Sequence, residues 1–162
     1  MSSCGKLVTV FTDGACTGNP GPGGYGAILR FGEHQRELSG GYRLTTNNRM
    51  ELTAVIKALR ALKEPCSVTL FSDSEYVVNS IAKGWARSWR AKRWRRSGKV
   101  VPNWDLWSGL LDLCERHEVQ VRWVQGHAGH RENERCDELA VQAANSPDLP
   151  ADAGYERPPS PG

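Results

Sequence analysis

Four acids in this chain fall where a fold has least use for them. Asp13 closes the β-rich run Val8-Thr9-Val10-Phe11-Thr12, and Asp73 closes Val68-Thr69-Leu70-Phe71-Ser72. Glu51 shares a helical face with Val55, Ala58 and Leu62, and Asp137 shares one with Ala140, Val141 and Ala144. Burying a carboxylate costs several kcal/mol unless positive charge compensates it. Each acid alone has a structural reading: Asp73 as a helix cap, Asp13-Gly14 as a turn, Glu51 as a partly exposed acid. Four acids from four separate elements repel one another without a cation. Hard oxygen donors favour Mg²⁺ or Mn²⁺ over zinc. Two such ions roughly 3.5–4 Å apart can aim a water at phosphorus and stabilise the leaving oxygen, which points to phosphodiester hydrolysis.

The chain has 162 residues, room for one domain with a real core. No apolar run approaches the ~18 residues of a membrane span, and the first residues lack the apolar region of a signal peptide. Cys4, Cys16, Cys66, Cys114 and Cys136 are scattered, without a C-x-x-C pair. That pattern argues against a disulfide framework or a zinc cage and for a reducing cytoplasm. Net charge is +3, unevenly distributed. From Tyr76 to Trp104 there is no acid, while Lys83, Arg87, Arg90, Lys92, Arg93, Arg95, Arg96 and Lys99 crowd the same stretch. A basic face beside an acidic site suits a polyanion held by one region and cut by another.

Residues 7–12 alternate as a strand, and the glycine- and proline-rich 14–24 reads as loop. Strands are expected over 25–31 and 37–42. A helix starts near Asn48, with Glu51 three residues on, and runs to about Leu62 before Glu64-Pro65. A strand over 67–72 precedes helices over 74–83 and 85–96. A further helix starts at Asn103 or Asp105 and ends near His117; a strand covers 119–124, a loop 126–129 and a last helix 132–144. This order predicts an α/β fold: a five-stranded mixed sheet, an antiparallel meander joined to parallel strands, flanked by helices. Residues 1–145 form the single domain, and the Pro-, Asp-, Gly- and Ser-rich 146–162 is expected to be a flexible tail.

The motifs that surround the four acids are long. They are Phe11-Thr12-Asp13-Gly14, the run Gly18 to Gly26, Thr45-Thr46-Asn47-Asn48-Arg49-Met50-Glu51-Leu52, Ser72-Asp73-Ser74, Gly126-His127-Ala128-Gly129-His130, and Asn133 to Ala140. Together, in order over about residues 6–144, they resemble type 1 ribonuclease H of the bacterial kind. The resemblance implies the ribonuclease H-like fold and Mg²⁺-dependent endonucleolytic cleavage of the RNA strand of an RNA/DNA hybrid. Products would carry 5′-phosphate and 3′-hydroxyl ends. It also implies that Asp13, Glu51, Asp73 and Asp137 bind the metal, the four acids that the face analysis selects. No membrane and no obligate protein partner are implied, and a monomer is expected.

His127, between glycines and just before the Asp137 helix, is the expected proton shuttle, its reference pKa being about 6.5. The resemblance gives this histidine a part in catalysis or product release; His130 is read as structural. It also implies minor-groove contacts from Cys16, Asn19, Asn47 and Asn48, where an RNA strand shows its 2′-hydroxyls. Thr46 and Asn103 would hold a phosphate of the DNA strand. At Glu75 the family often has glutamine, and a carboxylate cannot donate to a base or a 2′-oxygen. Leu44 stands where arginine is common, with Arg43 before it. Trp85, Trp89 and Arg90 head a basic, aromatic segment that reads as a handle for the DNA strand, cations on phosphates and a ring against a sugar. Three rivals are weighed. An integrase-type enzyme would need a DNA-binding domain for which the chain has no room. A non-catalytic hybrid- or RNA-binding module need not keep four inward acids. Thiol chemistry at Cys16 or Cys136 has no paired base in the sequence.

Overall fold

A computed structural model describes residues 5–125 and 131–162. Three long strands open the chain: β1 (Lys6–Cys16), β2 (Gly21–Phe31) and β3 (His34–Thr45). Helix α1 (Asn47–Arg60) leads to β4 (Cys66–Ser72), α2 (Glu75–Ala82) and α3 (Trp85–Ala91). A two-residue hairpin, β5 (Arg95–Arg96) and β6 (Lys99–Val100), precedes α4 (Trp104–Arg116), β7 (Glu118–Trp123), α5 (Arg131–Ala144) and α6 (Ala153–Glu156). The main sheet has the order β3-β2-β1-β4-β7. β1–β2 and β2–β3 pair antiparallel; β1–β4 and β4–β7 pair parallel. This is the expected mixed sheet of five strands.

Residue parity along the strands divides the core. Val8 and Val10 of β1, with Val68 and Leu70 of β4, pack against Leu52, Val55 and Leu59 of α1 and Trp107 and Leu110 of α4. Phe11 points the other way, to Ile28 and to Cys136 of α5. Helices thus cover both faces, and β1 and β4 lie side by side at the centre. Their parallel pairing, Lys6 opposite Cys66 through Phe11 opposite Phe71, brings Asp13 and Asp73 out at the same edge. Among the described residues no helix is long and apolar enough to cross a membrane.

Several expectations need correction. The supposed loop over 14–24 shrinks to the turn between Cys16 and Gly21, because the glycines belong to strands. A Cβ on Gly24 or Gly26 would run into the α5 backbone at Ala140 and Cys136. A Cβ on Gly14 would strike α1 at Met50 and Glu51. The glycines therefore let two helices approach the sheet closely. Thr46, not Asn48, caps α1, its Oγ1 accepting from the Arg49 N–H at 3.2 Å. The helix expected over 85–96 stops at Ala91: Arg93 and Trp94 adopt φ of 57° and 63°, and the hairpin follows. On α5 the buried stripe is Cys136, Leu139, Ala140, Ala143 and Ala144, with Val141 exposed, so Asp137 sits at its edge.

The segment from 146 also departs from the flexible tail that its composition suggested. It lies against the body. Asp152 is buried and accepts from Thr45 Oγ1 at 2.7 Å and from Arg49 Nε at 2.8 Å. Arg43 grips Glu156 through two hydrogen bonds, and the Trp104 indole donates to the Pro159 carbonyl. A buried arginine with paired acids ties the segment down where apolar content would not.

Candidate active site

The β1 and β4 ends and the inward face of α1 converge at one cleft. Its lining is Asp13, Gly14, Ala15, Cys16, Asn47, Asn48, Glu51, Asp73, Ser74 and Asp137, and its volume is about 430 Å³. Asp13 is buried and accepts from the Gly14 N–H at 2.9 Å. One carboxylate oxygen each of Asp13, Glu51 and Asp73 lie within 4.8 Å of one another. Asp137 reaches the group from α5: it lines the same cleft, and its charge bears on Asp13. The four acids expected to act together therefore do meet.

Their electrostatics are adverse. Burial first, then the charges of Asp73 and Asp137, push the Asp13 carboxyl from its ordinary 3.8 to about 7. Burial again leads at Glu51, with Asp13 and Asp73 adding to it, and holds that carboxyl well above its ordinary value. Glu51 Oε2 is buried without a hydrogen-bond partner. An orphaned carboxylate oxygen aimed into an all-oxygen donor set is what a hard divalent cation satisfies. The residues fit such a group.

The expected contact residues divide. Cys16, Asn47 and Asn48 line the cleft, and Asn19 accepts from the Asn47 N–H at 3.2 Å, which ties the β1–β2 turn to the start of α1. Thr46 sits at the cap of that helix, its hydroxyl already accepting from Arg49. Asn103 flanks α4 in a left-handed conformation, φ 63°, and its amide donates to the Tyr76 hydroxyl. Glu75 is exposed on the first turn of α2. Ser74, which the sequence reading passed over, lines the cleft and caps α2. Its place beside Asp73 was the available signal. His127 and the rest of the 126–130 loop lie outside the described residues.

A second cleft, about 500 Å³, opens in the basic segment among Trp85, Ser88, Trp89, Lys92, Arg95, Arg96 and Ser97. Trp85 is 44% exposed, whereas Trp89 packs on the core against Trp107 and Trp94 is buried. The Trp85 ring is thus the exposed one of the three, with Lys83 Nζ over it, 5.3 Å from its centroid. Arg90, selected from sequence as a contact, points elsewhere: its guanidinium bonds Asp112, Glu115 and the Ser108 carbonyl of α4 at 2.6–2.9 Å. Helical spacing turns it toward α4, and Lys92, Arg95 and Arg96 take the cleft.

A mixed sheet that gathers four acids at a strand edge beside a basic cleft defines a class, the metal-dependent nucleases that cut phosphodiesters without a covalent nucleophile. The family described as RNase H matches residues 5–145. Ribonuclease H of Syntrophus aciditrophicus is 61% identical over 151 residues, covering 93% of this chain and 87% of its own. That of Desulforamulus reducens is 60% identical over 148 residues, covering 91% and 93%. The crystal structure of a type 1 RNase H with the type 2 active-site motif is similar at TM-score 0.78 and 35% identity, covering 86% of this chain and 72% of its own. The chain belongs to the ribonuclease H family. It is a hydrolase, a divalent-metal-dependent endoribonuclease that acts on the RNA strand of RNA/DNA hybrids.

Proposed function

We propose that residues 1–145 are the catalytic unit and that Asp13, Glu51, Asp73 and Asp137 hold Mg²⁺, with Mn²⁺ able to substitute. The observation that carries this reading is the carboxylate cluster: three carboxylates within 4.8 Å, and a buried Glu51 oxygen without a hydrogen-bond partner. When bound, the metal supplies charge to activate a water and to stabilise the leaving oxygen. The protein's own part is to hold four acids in place before substrate arrives. Asp13 is fixed by the Gly14 N–H, and Asp73 by the central strand β4. Hydrolysis by in-line attack leaves a 5′-phosphate and a 3′-hydroxyl.

The hybrid lies with its RNA strand over the cleft. Cys16, Asn19, Asn47 and Asn48 read the minor groove, while Thr46 and Asn103 hold a phosphate of the DNA strand. Trp85, Lys92, Arg95 and Arg96 grip that strand further along; Arg90 braces α3 on α4 instead. Glu75, at the exposed start of α2, accepts hydrogen bonds and donates none. His127 shuttles a proton or helps product leave, an assignment that rests on its place in the sequence. The enzyme acts as a monomer, its core closed within one chain, in a reducing cytoplasm suited to Cys16, Cys66, Cys114 and Cys136 held as thiols.

The test is a hybrid with a 5′-labelled RNA strand, incubated with Mg²⁺ or with EDTA. Internal RNA cuts that need Mg²⁺, vanish in Asp13→Asn and are absent on duplex RNA and duplex DNA are expected. Tight hybrid binding without cutting in Mg²⁺ or Mn²⁺ would contradict the reading and favour a binding module.

A further inference from the structure

The C-terminal segment makes its contacts at two particular places. One is the start of α1. Asp152 accepts from Thr45 Oγ1 and from the Arg49 guanidinium, residues on either side of Thr46, Asn47 and Asn48. The other is the start of α4. Arg49 also forks onto Asp105 at 2.8–2.9 Å, and the neighbouring Trp104 indole donates to the Pro159 carbonyl at 2.9 Å. Asn103 immediately precedes both residues. Outside these helix starts, the Arg43 N–H donates to the Pro150 carbonyl and the Arg43 side chain pairs with Glu156.

Arg49 is 3% exposed and Asp152 7%. Buried charges joined through two-pronged hydrogen bonds have few alternative geometries, so they fix the backbone that bears them. The fit is tight at Gly154, where a Cβ would collide with the Asp105 carboxylate and the Arg49 guanidinium. A segment needed only to cover the surface would not require a bare backbone pressed on an ion pair.

From this arrangement we infer that residues 150–159 are a positioning strap, with Asp152 its keystone. The strap fixes the start of α1 relative to the start of α4, and so the spacing of Thr46 and Asn103 and the aim of Asn47 and Asn48. This rests on the proposed substrate contacts of those four residues. Among the described residues that line the cleft of the acids none belongs to the strap, so the strap governs how tightly the hybrid is held rather than how fast a bound phosphodiester is cut. Binding-site geometry set by a distant ionic clamp shows in KM, whereas a group stabilising only the transition state shows in kcat.

The experiment compares the full-length protein with Asp152→Asn and Gly154→Ala, both kept well below their melting temperatures. Each should raise KM for a hybrid by about three- to tenfold with kcat within roughly twofold. Val68→Ala, a core change in β4 far from the strap, is the control for general destabilisation and should leave KM unchanged. Amide exchange supplies a readout that needs no substrate. The Arg49 N–H, capped by Thr46, and the Trp107 N–H, bonded to the Asn103 carbonyl, should exchange about tenfold faster in both strap variants. Unchanged KM and unchanged exchange in Asp152→Asn and Gly154→Ala would overturn the strap. A rise in KM for Val68→Ala equal to theirs would do so as well. If the unaltered protein neither binds nor cuts a hybrid, the functional reading fails, and the exchange rates decide the strap alone.

Discussion

Two groups of buried charge meet α1 two residues apart, and they are built in opposite ways. At Arg49 one guanidinium faces the carboxylates of Asp105 and Asp152, each within 2.8 Å. At Glu51 a carboxylate faces two more carboxylates, their nearest oxygens within 4.8 Å of one another. Burial opposes charge at both sites, yet the outcomes diverge. Although burial works to raise it, Asp105 is held below its ordinary range by the Arg49 hydrogen bonds and charge. Asp13 and Glu51, buried among like charges, are driven upward. The first group is complete within the chain and holds the fold together. The second gathers like charges whose carboxyls are driven upward, which is the mark of a ligand site.

Substitutions on each side should break the contrast in different currencies. The largest effect is expected at Asp13→Asn, which removes one of the charges proposed to hold the metal without changing shape. Several kcal/mol of charge stabilisation correspond to a loss of about a thousandfold or more in kcat, measured on a labelled hybrid at saturating Mg²⁺. His127→Ala should cost far less in the same assay. Arg49→Met acts on stability: it leaves Asp105 and Asp152 facing each other unpaired, and denaturant unfolding should show a loss of about 3–5 kcal/mol.

The sharpest form of the comparison is pH-dependent. The folded protein holds the Asp13 proton up to about pH 7, whereas an unfolded chain releases it near 3.8. Between these values the folded state binds more protons, so this acid destabilises the metal-free protein as pH rises. Asp13→Asn should therefore stabilise the metal-free protein by on the order of 4 kcal/mol at pH 8 and by nothing near pH 3. Asp105→Asn has the opposite sign: the stability that the ionised acid contributes is present at neutral pH and lost in acid, so the variant is weaker at pH 8. Thermal melts at both pH values decide between these expectations. The smallest effect is expected in the basic cleft. Neutralising Lys92, Arg95 and Arg96 should raise KM and flatten its salt dependence, each lost phosphate contact changing the log–log slope by roughly 0.7–0.9.

The uncompensated group was legible in the sequence because each acid interrupts a local period. A strand that ends in Asp and a helix whose apolar face contains Glu can be read within a few residues. The compensated group was not. Asp152 lies in a stretch whose composition suggests disorder, and its partner Arg49 and the other acid on that guanidinium, Asp105, stand 103 and 47 positions away in the chain. Only the fold brings them together. The glycine run failed for a related reason: Gly24 looks like a loop residue until α5, more than a hundred residues later, is seen to need its missing side chain. Arg90 had the right charge for a phosphate contact, but its helical face is set by Asp112 and Glu115 on α4. The rise of the Asp13 carboxyl to about 7 likewise has no local signal, since it follows first from burial by the folded chain and then from the charges of Asp73 and Asp137, which arrive from other elements.

The most direct test of the contrast is calorimetric titration of Mg²⁺ into the metal-free protein, alongside Asp13→Asn and Asp105→Asn. The two variants remove one carboxylate each, from opposite sides of the comparison. Mg²⁺ binding that is lost in Asp13→Asn and retained in Asp105→Asn is the predicted result. Binding that survives Asp13→Asn, or that weakens equally in both, would show that the cluster at Glu51 is not the cation site.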